Sequence, residues 1–408
     1  MLVSFSAKNY KSFYDEITLD MRIDVNDSNR EEIENNPFVY KINDDYISKL
    51  CILYGHNGSG KSNLLNAIKY LTNININHLP SNYKKLFMSN MIYGKYENTE
   101  FNLEFYHNNN LYHYEIILDN KNEKIEYELL KENNNIIFER ENNNIKKGSN
   151  FFINIKGIPN KITVMAYCYS VDDYRENIKQ YKDTFKQTLH SYMSTDFPEI
   201  LFINIDNIYS LLKKSGIWNI YKKLISLADV GIDNIKIVKA NEGISYGNFL
   251  NIKNKYKLTS IHKNYEDDFK KIESDGTKIY ANNLVSILKS LKNGNLSVLD
   301  EFQGVQSELL ELVISLFQKN MFEDLDNPTA QLILSTHDTN LMCLKNTLLN
   351  HYWFLNKEDN KSELYCAADF EDLKREDLEK EYKRNSLKAK YNSRLFEIPS
   401  KFFINDEE

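Results

Sequence analysis

The sequence predicts an α/β fold: a mixed sheet carrying a phosphate-binding loop, an antiparallel β-meander, and an inserted, mostly helical region. Three observations predict it. Residues 55–62 read Gly-His-Asn-Gly-Ser-Gly-Lys-Ser, a complete G-x-x-x-x-G-K-[ST] pattern. It sits between the apolar run Leu50–Tyr54 and a helical pattern at Leu64, Leu65, Ile68 and Leu71. Residues 91–141 break into short alternating runs, such as Phe101-x-Leu103-x-Phe105 and Ile125-x-Tyr127-x-Leu129, separated by Asn108-Asn109-Asn110 and Asn133-Asn134-Asn135. Asparagine tolerates positive φ, so these triplets read as hairpin turns. Residues 278–355 then alternate helix and strand as a parallel sheet requires.

From the N-terminus, Val3 and Phe5, then Ile17 and Leu19, mark two short strands around the turn Asn9-Tyr10-Lys11-Ser12-Phe13. The polar stretch 24–36 reads as a mobile loop. Residues 172–230 read as helix, with Ile208, Leu211, Leu212, Trp218, Tyr221, Leu224 and Leu227 at three- and four-residue intervals. No heptad persists, which argues against a long coiled coil. Strands return over 231–262, and a last core strand is expected at about 350–356. These readings divide the chain into an N-terminal lobe with loop and meander (1–170), a helical insertion (171–230), a C-terminal lobe (231–356) and a helical tail (357–408).

Composition bounds the function classes. The 408 residues are 42% hydrophobic and 27% charged, an ordinary soluble balance. Met1–Phe5 lacks the basic and apolar regions of a signal peptide, and no run approaches a membrane span of about 20 apolar residues. A cytoplasmic protein is expected. Cys51, Cys168, Cys343 and Cys366 are scattered in apolar runs, which predicts reduced, buried thiols and no metal-ligand spacing. A net charge of −7 argues against a general nucleic-acid-binding surface but leaves room for a local basic stripe.

The glycines of the loop let backbone N–H groups turn inward around phosphate oxygens, with the positive end of the helix dipole behind them. Gly55, His56, Asn57, Gly58, Ser59, Gly60, Lys61, Ser62 and the following Asn63 are therefore the expected nucleotide-binding residues. Lys61 would reach the β- and γ-phosphates, and the Ser62 hydroxyl would ligate Mg²⁺. Downstream, Leu296–Leu299 is an apolar strand ending in Asp300-Glu301. Asp300 at such a strand end would hold Mg²⁺, and Glu301 would polarise the attacking water. Another apolar strand, Gln331–Leu334, ends in Ser335-Thr336-His337-Asp338, where His337 would contact the γ-phosphate. Ser274 and Gly276, in Glu273-Ser274-Asp275-Gly276-Thr277, open a helix and make either a second anion-binding N-terminus or a simple helix cap.

With these motifs in this order, the chain resembles ATPases of the ABC type found in the SMC and RecF repair proteins. Within that group it looks most like the bacterial RloA/AbiL-type abortive-infection ATPases. The resemblance begins at Phe5-Ser6-Ala7-Lys8-Asn9-Tyr10-Lys11-Ser12-Phe13 and continues through Ala228-Asp229-Val230-Gly231-Ile232, Glu273–Thr277 and Ser335–Asp338. It implies an ABC-type ATPase head using ATP and Mg²⁺, with Ser274 and Gly276 as a signature motif that completes a second subunit's site. It also implies that His337 is the switch histidine. Where the family often reads Leu-Asp-x-Ser-Leu-His-Pro after its acidic pair, this chain has Phe302-Gln303-Gly304-Val305-Gln306-Ser307-Glu308. The loop at the dimer interface is thus altered, and no Gln-loop residue is assigned.

The resemblance further implies a homodimer through the ATP sites, or a higher oligomer, regulating a separately encoded effector such as a nuclease in anti-phage defence. The tail shows no acidic cluster assignable to a nuclease, consistent with a separate partner. Its basic run Lys383, Arg384, Lys388, Lys390 and Arg394 reads either as a solvated helix face or as a docking or nucleic-acid surface. The alternative is a RecF/SMC-like repair ATPase that clamps DNA itself, with Lys253, Lys255 and Lys257 on one strand face. A transporter subunit fits poorly, because Glu-Ser-Asp-Gly-Thr is not Leu-Ser-Gly-Gly-Gln.

Overall fold

Strands β1 (Leu2–Lys8) and β2 (Ile17–Asp20) pair antiparallel about the Asn9–Phe13 turn, as their alternation predicts. The computed structural model describes residues 1–76, 89, 92–189, 216–228, 231–239, 256–301, 305–318, 329–384 and 386–387. Within the polar stretch 24–36, expected as a loop, a short helix α1 (Arg30–Asn35) forms. Its single apolar residue, Ile33, packs on Ile23, Val39, Tyr46 and Leu348, and one inward side chain leaves no periodicity to read. A hairpin of β3 (Val39–Ile42) and β4 (Asp45–Ser48) leads to β5 (Leu50–Tyr54), the glycine-rich turn and helix α2 (Lys61–Ile76).

The asparagine turns then build the expected meander: β6 (Thr99–His107), β7 (Asn110–Asp119), β8 (Lys124–Glu132), β9 (Asn135–Glu141) and β10 (Asn144–Gly148). With β1 and β2 they form a seven-stranded sheet in the order β10-β9-β8-β7-β6-β1-β2. Asn108 and Asn109 have φ of 49° and 63°, and Asn133 and Asn134 have 47° and 69°. Positive φ at both central residues is what a two-residue hairpin matching the strand twist demands. A fully buried ion pair fastens the sheet to the chain that follows. Arg140 Nη1 lies 3.3 Å from Glu128 and donates to Ile162 O at 2.6 Å, while Glu128 accepts from Val164 N. That segment opens α3 (Val164–Ser170), and α4 (Asp172–Leu189) and α5 (Trp218–Ala228) follow. These are the described parts of the expected helical region. Tyr221 and Leu224 are buried while Leu227 faces solvent; Ile208, Leu211 and Leu212 lie outside the described residues.

Strands β11 (Asn234–Lys239), β12 (Tyr256–His262) and β13 (Tyr265–Asp268) form a separate antiparallel sheet. Lys257 lies on β12; Lys253 and Lys255 fall outside the described residues. A single helical turn, Phe269–Ile272, leads to helix α6 (Asp275–Asn293) and then β14 (Leu296–Leu299). Helix α7 (Ser307–Ser315), β15 (Gln331–Ser335), β16 (Tyr352–Glu358) and β17 (Lys361–Cys366) complete a five-stranded sheet in the order β14-β15-β5-β16-β17. Its first four strands are parallel, as the helix–strand alternation predicts, and β17 is antiparallel. The last strand is therefore β17 rather than one ending near 356. Asp359 and Asn360, at φ 47° and 63°, turn β16 back on itself, and the charges of Glu363 and Lys361 disguise the strand.

The central sheet is packed on both faces. From β5, Cys51 and Leu53 enter one core with Leu64, Leu65 and Ile68 of α2 and the meander's Phe101 and Leu103. Leu50, Ile52 and Tyr54 enter the other, with Tyr280, Leu284 and Leu288 of α6. The tail joins this second core through Leu378 and Tyr382 of helix α8 (Leu378–Lys383) and through Leu387. Its outward Lys380, Lys383 and Arg384 pair with Asp377, Glu379 and Glu381; Lys388, Lys390 and Arg394 lie outside the described residues. Cys51, Cys168 and Cys366 are buried thiols, but Cys343 is exposed. It ends a 3₁₀ turn, Thr339–Cys343, that directs Leu341 and Met342 inward and the thiol out.

A cross-strand charge cluster gives the meander a pH signature. Glu104 at 3.4 Å first, and Glu115 at 3.9 Å second, raise the His113 pKa from 6.5 to about 9. Pairing with His113, with help from Arg22, lowers Glu104 from 4.5 to about 2. The histidine contributes fully below its unfolded pKa, and that contribution is lost as pH rises through about 9; the glutamate's is present above about 4.5 and lost as pH falls through about 2. Both act together between pH 4.5 and 6.5. Replacement His113→Gln is expected to flatten the decline in thermal midpoint between pH 6.5 and 9; an unchanged slope in a pH series of melts would refute the pairing.

Candidate functional site: a phosphate loop facing two strand ends

Strand β5 ends at Tyr54, and the chain turns through Gly55–Gly60 into α2. Two glycines are there for close approach. A Cβ on Gly55 would lie 2.4 Å from Leu355 O of β16. On Gly60, at φ 114°, it would lie 2.9 Å from Ser362 Oγ and 3.0 Å from Ser12 Oγ. Ser12 also accepts from Asn63 Nδ2 at 2.8 Å, and its carbonyl accepts from Ser362 N. The N-terminal turn and the β16–β17 hairpin thus wall the loop. Ser62 stands exposed at the helix start, and His56 Nδ1 is 2.8 Å from Asn57 O.

Lys61 is buried and curls back over the loop. Its Nζ donates to Gly55 O at 2.8 Å and His56 O at 3.3 Å, and lies 3.2 Å from His337 Nε2 and 3.6 Å from Glu301 Oε1. Burial lowers its pKa, and Glu301 and Asp300 oppose that shift. His337 Nε2 is also 3.4 Å from Glu301 Oε1. Burial first, and the Lys61 charge second, hold the His337 pKa below its ordinary value, so the ring is neutral at pH 7. Nε2 faces both the Lys61 ammonium, from which a neutral ring nitrogen can accept, and the Glu301 carboxylate, to which a protonated one can donate.

Ser335 organises the acidic strand end. Its Oγ donates to Asp300 Oδ1 at 2.7 Å and accepts from Glu301 N at 2.9 Å. Glu301 itself sits at φ 41°, a left-handed conformation unusual for a non-glycine residue and the kind of local strain found at functional sites. Tyr54 OH, from the end of β5, donates to Asp338 O at 2.9 Å and so holds the turn carrying His337.

The fold therefore brings Lys61, Asp300, Glu301 and His337 together from three parallel strands. Ser274 and Gly276 stand elsewhere, at the start of α6. Ser274 is exposed, accepts from Thr277 N at 3.1 Å and meets Thr277 Oγ1 at 2.8 Å, so within this chain it is the helix cap. Residues 302–304 of the altered loop lie outside the described residues.

A family model described as "AAA domain, putative AbiEii toxin, Type IV TA system" matches residues 50–342, well over half of the chain. The chain belongs to this family. The match begins at β5 and runs past His337, so it contains every expected site residue, from Gly55 to Asn63, Ser274, Gly276, Asp300, Glu301 and His337. No curated protein matches the sequence. Among solved structures, the SMC head domain from Thermotoga maritima is similar, at 14% identity and a TM-score of 0.46, over 90% of this chain and 98% of that one.

Three hydroxyls around the loop and the acidic strand end have contacts that motif reading did not assign: Ser335, inside the matched AAA-type domain, and Ser12 and Ser362, outside it. Ser335 lies inside a quoted motif and Ser12 inside the N-terminal signature, so both had a signal; Ser362 had none. Replacement Ser335→Ala removes both hydrogen bonds of the bridge, one of them to a buried carboxylate, which predicts a loss of about 1–3 kcal/mol. Urea unfolding measures it, and a change within about 0.5 kcal/mol would show that the bridge is dispensable.

Proposed function

We propose that this protein is an ATP-binding and ATP-hydrolysing switch of the RloA/AbiL type, acting in the cytoplasm as part of an abortive-infection defence against phage. The observation that carries the reading is the meeting of Lys61, Glu301 and His337 over a complete phosphate loop, with Asp300 held beside them. Membership of a family described by a toxin–antitoxin system supports the defence setting. Among the described residues no helix is long and apolar enough to cross a membrane.

In this reading the backbone N–H groups of residues 55–62 and the start of α2 cradle the phosphates. Lys61 neutralises charge on the β- and γ-phosphates. The exposed Ser62 hydroxyl and the Asp300 carboxylate are hard oxygen donors of the sort Mg²⁺ takes alongside phosphate oxygens, and they would hold it. Bound there, Mg²⁺ would supply positive charge against the charge developing on the phosphates. Glu301 accepts a proton from the attacking water, and neutral His337 orients that water or the γ-phosphate. Ser274 and Gly276 of a second copy close over the γ-phosphate, so nucleotide joins two heads and hydrolysis parts them. A separately encoded effector, nuclease-like in chemistry, reads that change.

Lys61→Ala removes the loop's fixed positive charge, and ATP turnover should fall by at least about 100-fold. A phosphate-release assay at wild-type rate would sink the nucleotide assignment. For Glu301→Gln the expectation is an ATP-stabilised dimer with slow turnover, seen by sedimentation with ATP·Mg²⁺. Capture of that variant from cells should return a stoichiometric protein; nuclease-sensitive DNA without a protein would support the DNA-clamping alternative instead.

A further inference from the structure

The turn that opens α6 is held from outside its own helix. Glu273 immediately precedes the cap residue Ser274, and its carboxylate is almost fully buried. His262, the last residue of β12, places Nε2 2.9 Å from Glu273 Oε1. A carboxylate can only accept, so Nε2 carries the proton. The imidazole also stacks on Tyr265 of β13, with ring centroids 4.6 Å apart and planes 8° from parallel. Sheet and helix also share a core. Ile235 of β11, Leu258 of β12 and Phe269 pack in the same cluster as Tyr280, Ala281 and Leu284 of α6.

We infer that the His262–Glu273 hydrogen bond is a positioning contact by which the three-stranded sheet sets the Ser274–Gly276 turn for the nucleotide site of a second copy. The inference rests on the reading that Ser274 and Gly276 complete such a site. Its physical basis is the nature of the joint. Apolar packing fixes the distance between sheet and helix but tolerates small rotations, whereas one short directional bond to the residue before the cap fixes the rotation. The Tyr265 stack narrows the orientations open to the imidazole, which lowers the entropy the bond must still overcome. Displacement of β12 by anything bound to that sheet would move the turn directly.

The contact lies away from Lys61, which makes the expectation asymmetric. His262→Ala should leave binding of a fluorescent ATP analogue to a single head within about twofold, yet lower ATP-driven dimerisation and kcat by about tenfold, within the usual range of coupling between sites. His262→Gln, which keeps an N–H donor, should restore most of the loss. Glu273→Ala should match His262→Ala, and the double variant should be no worse than either, as for two halves of one interaction. A purely structural contact would lower nucleotide binding and thermal midpoint in step with turnover, and that result overturns the inference. Wild-type dimerisation and kcat in both His262→Ala and Glu273→Ala overturn it too, while leaving the switch reading intact. Failure of the wild-type protein to dimerise with ATP·Mg²⁺ overturns the switch reading and the inference together.

Discussion

The site depends on strand β5 being packed on both faces. Leu50, Ile52 and Tyr54 enter one core while Cys51 and Leu53 enter the other. A register slip of one residue would exchange the two sets, which lie against differently shaped partners. Because β14, β15 and β16 run parallel to β5, their C-terminal ends emerge on the same edge of the sheet. Ligand sites of open α/β sheets lie at that edge for this geometric reason. The loop after β5, the acids after β14 and the histidine after β15 meet without any of them being neighbours in sequence.

Bringing them together concentrates charge in a partly dry place. Burial disfavours the Lys61 ammonium, and the carboxylates of Glu301 and Asp300 oppose that effect. Burial and the lysine charge lower the His337 pKa, which keeps a second positive charge out of the cluster. The left-handed backbone at Glu301 adds strain of about 1–3 kcal/mol, held in place by the Ser335 bridge. Oxygen and nitrogen atoms are thereby held in place by the fold itself, which is what electrostatic preorganisation means physically.

Much of this was legible in residue order. Asn108-Asn109 and Asn133-Asn134 declare their turns because few other side chains accept positive φ. Residues 55–62, Asp300-Glu301 and His337 declare strand ends because an apolar run must stop where polar groups begin. Other elements left no local trace. Helix α1 buries a single side chain, and β17 is so charged that only its pairing with β16 makes it a strand. The tail reads as polar helix, yet Tyr382 stacks on Phe354 and Arg375 donates to Met342 O, Leu344 O and Tyr352 OH. Each of those contacts joins residues whose spacing carries no period.

Residue order alone settled most of which segments are loop, strand or helix, and which segments carry the lysine, acids and histidine that meet at the strand ends. Those properties are local: φ preferences, hydrophobic period and functional groups belong to a few consecutive residues. Only the tertiary structure decided that Ser335 bridges Asp300 and Glu301, that Ser12 and Ser362 wall Gly60, and that His262 grips Glu273. It also decided that Gln331 ties the two sheets, bonding Leu2 N, Leu2 O and Ser48 O from within β15. Such contacts exist because two packed cores bring distant strands to fixed separations, and a hydroxyl or amide acquires its partner only once those separations are set.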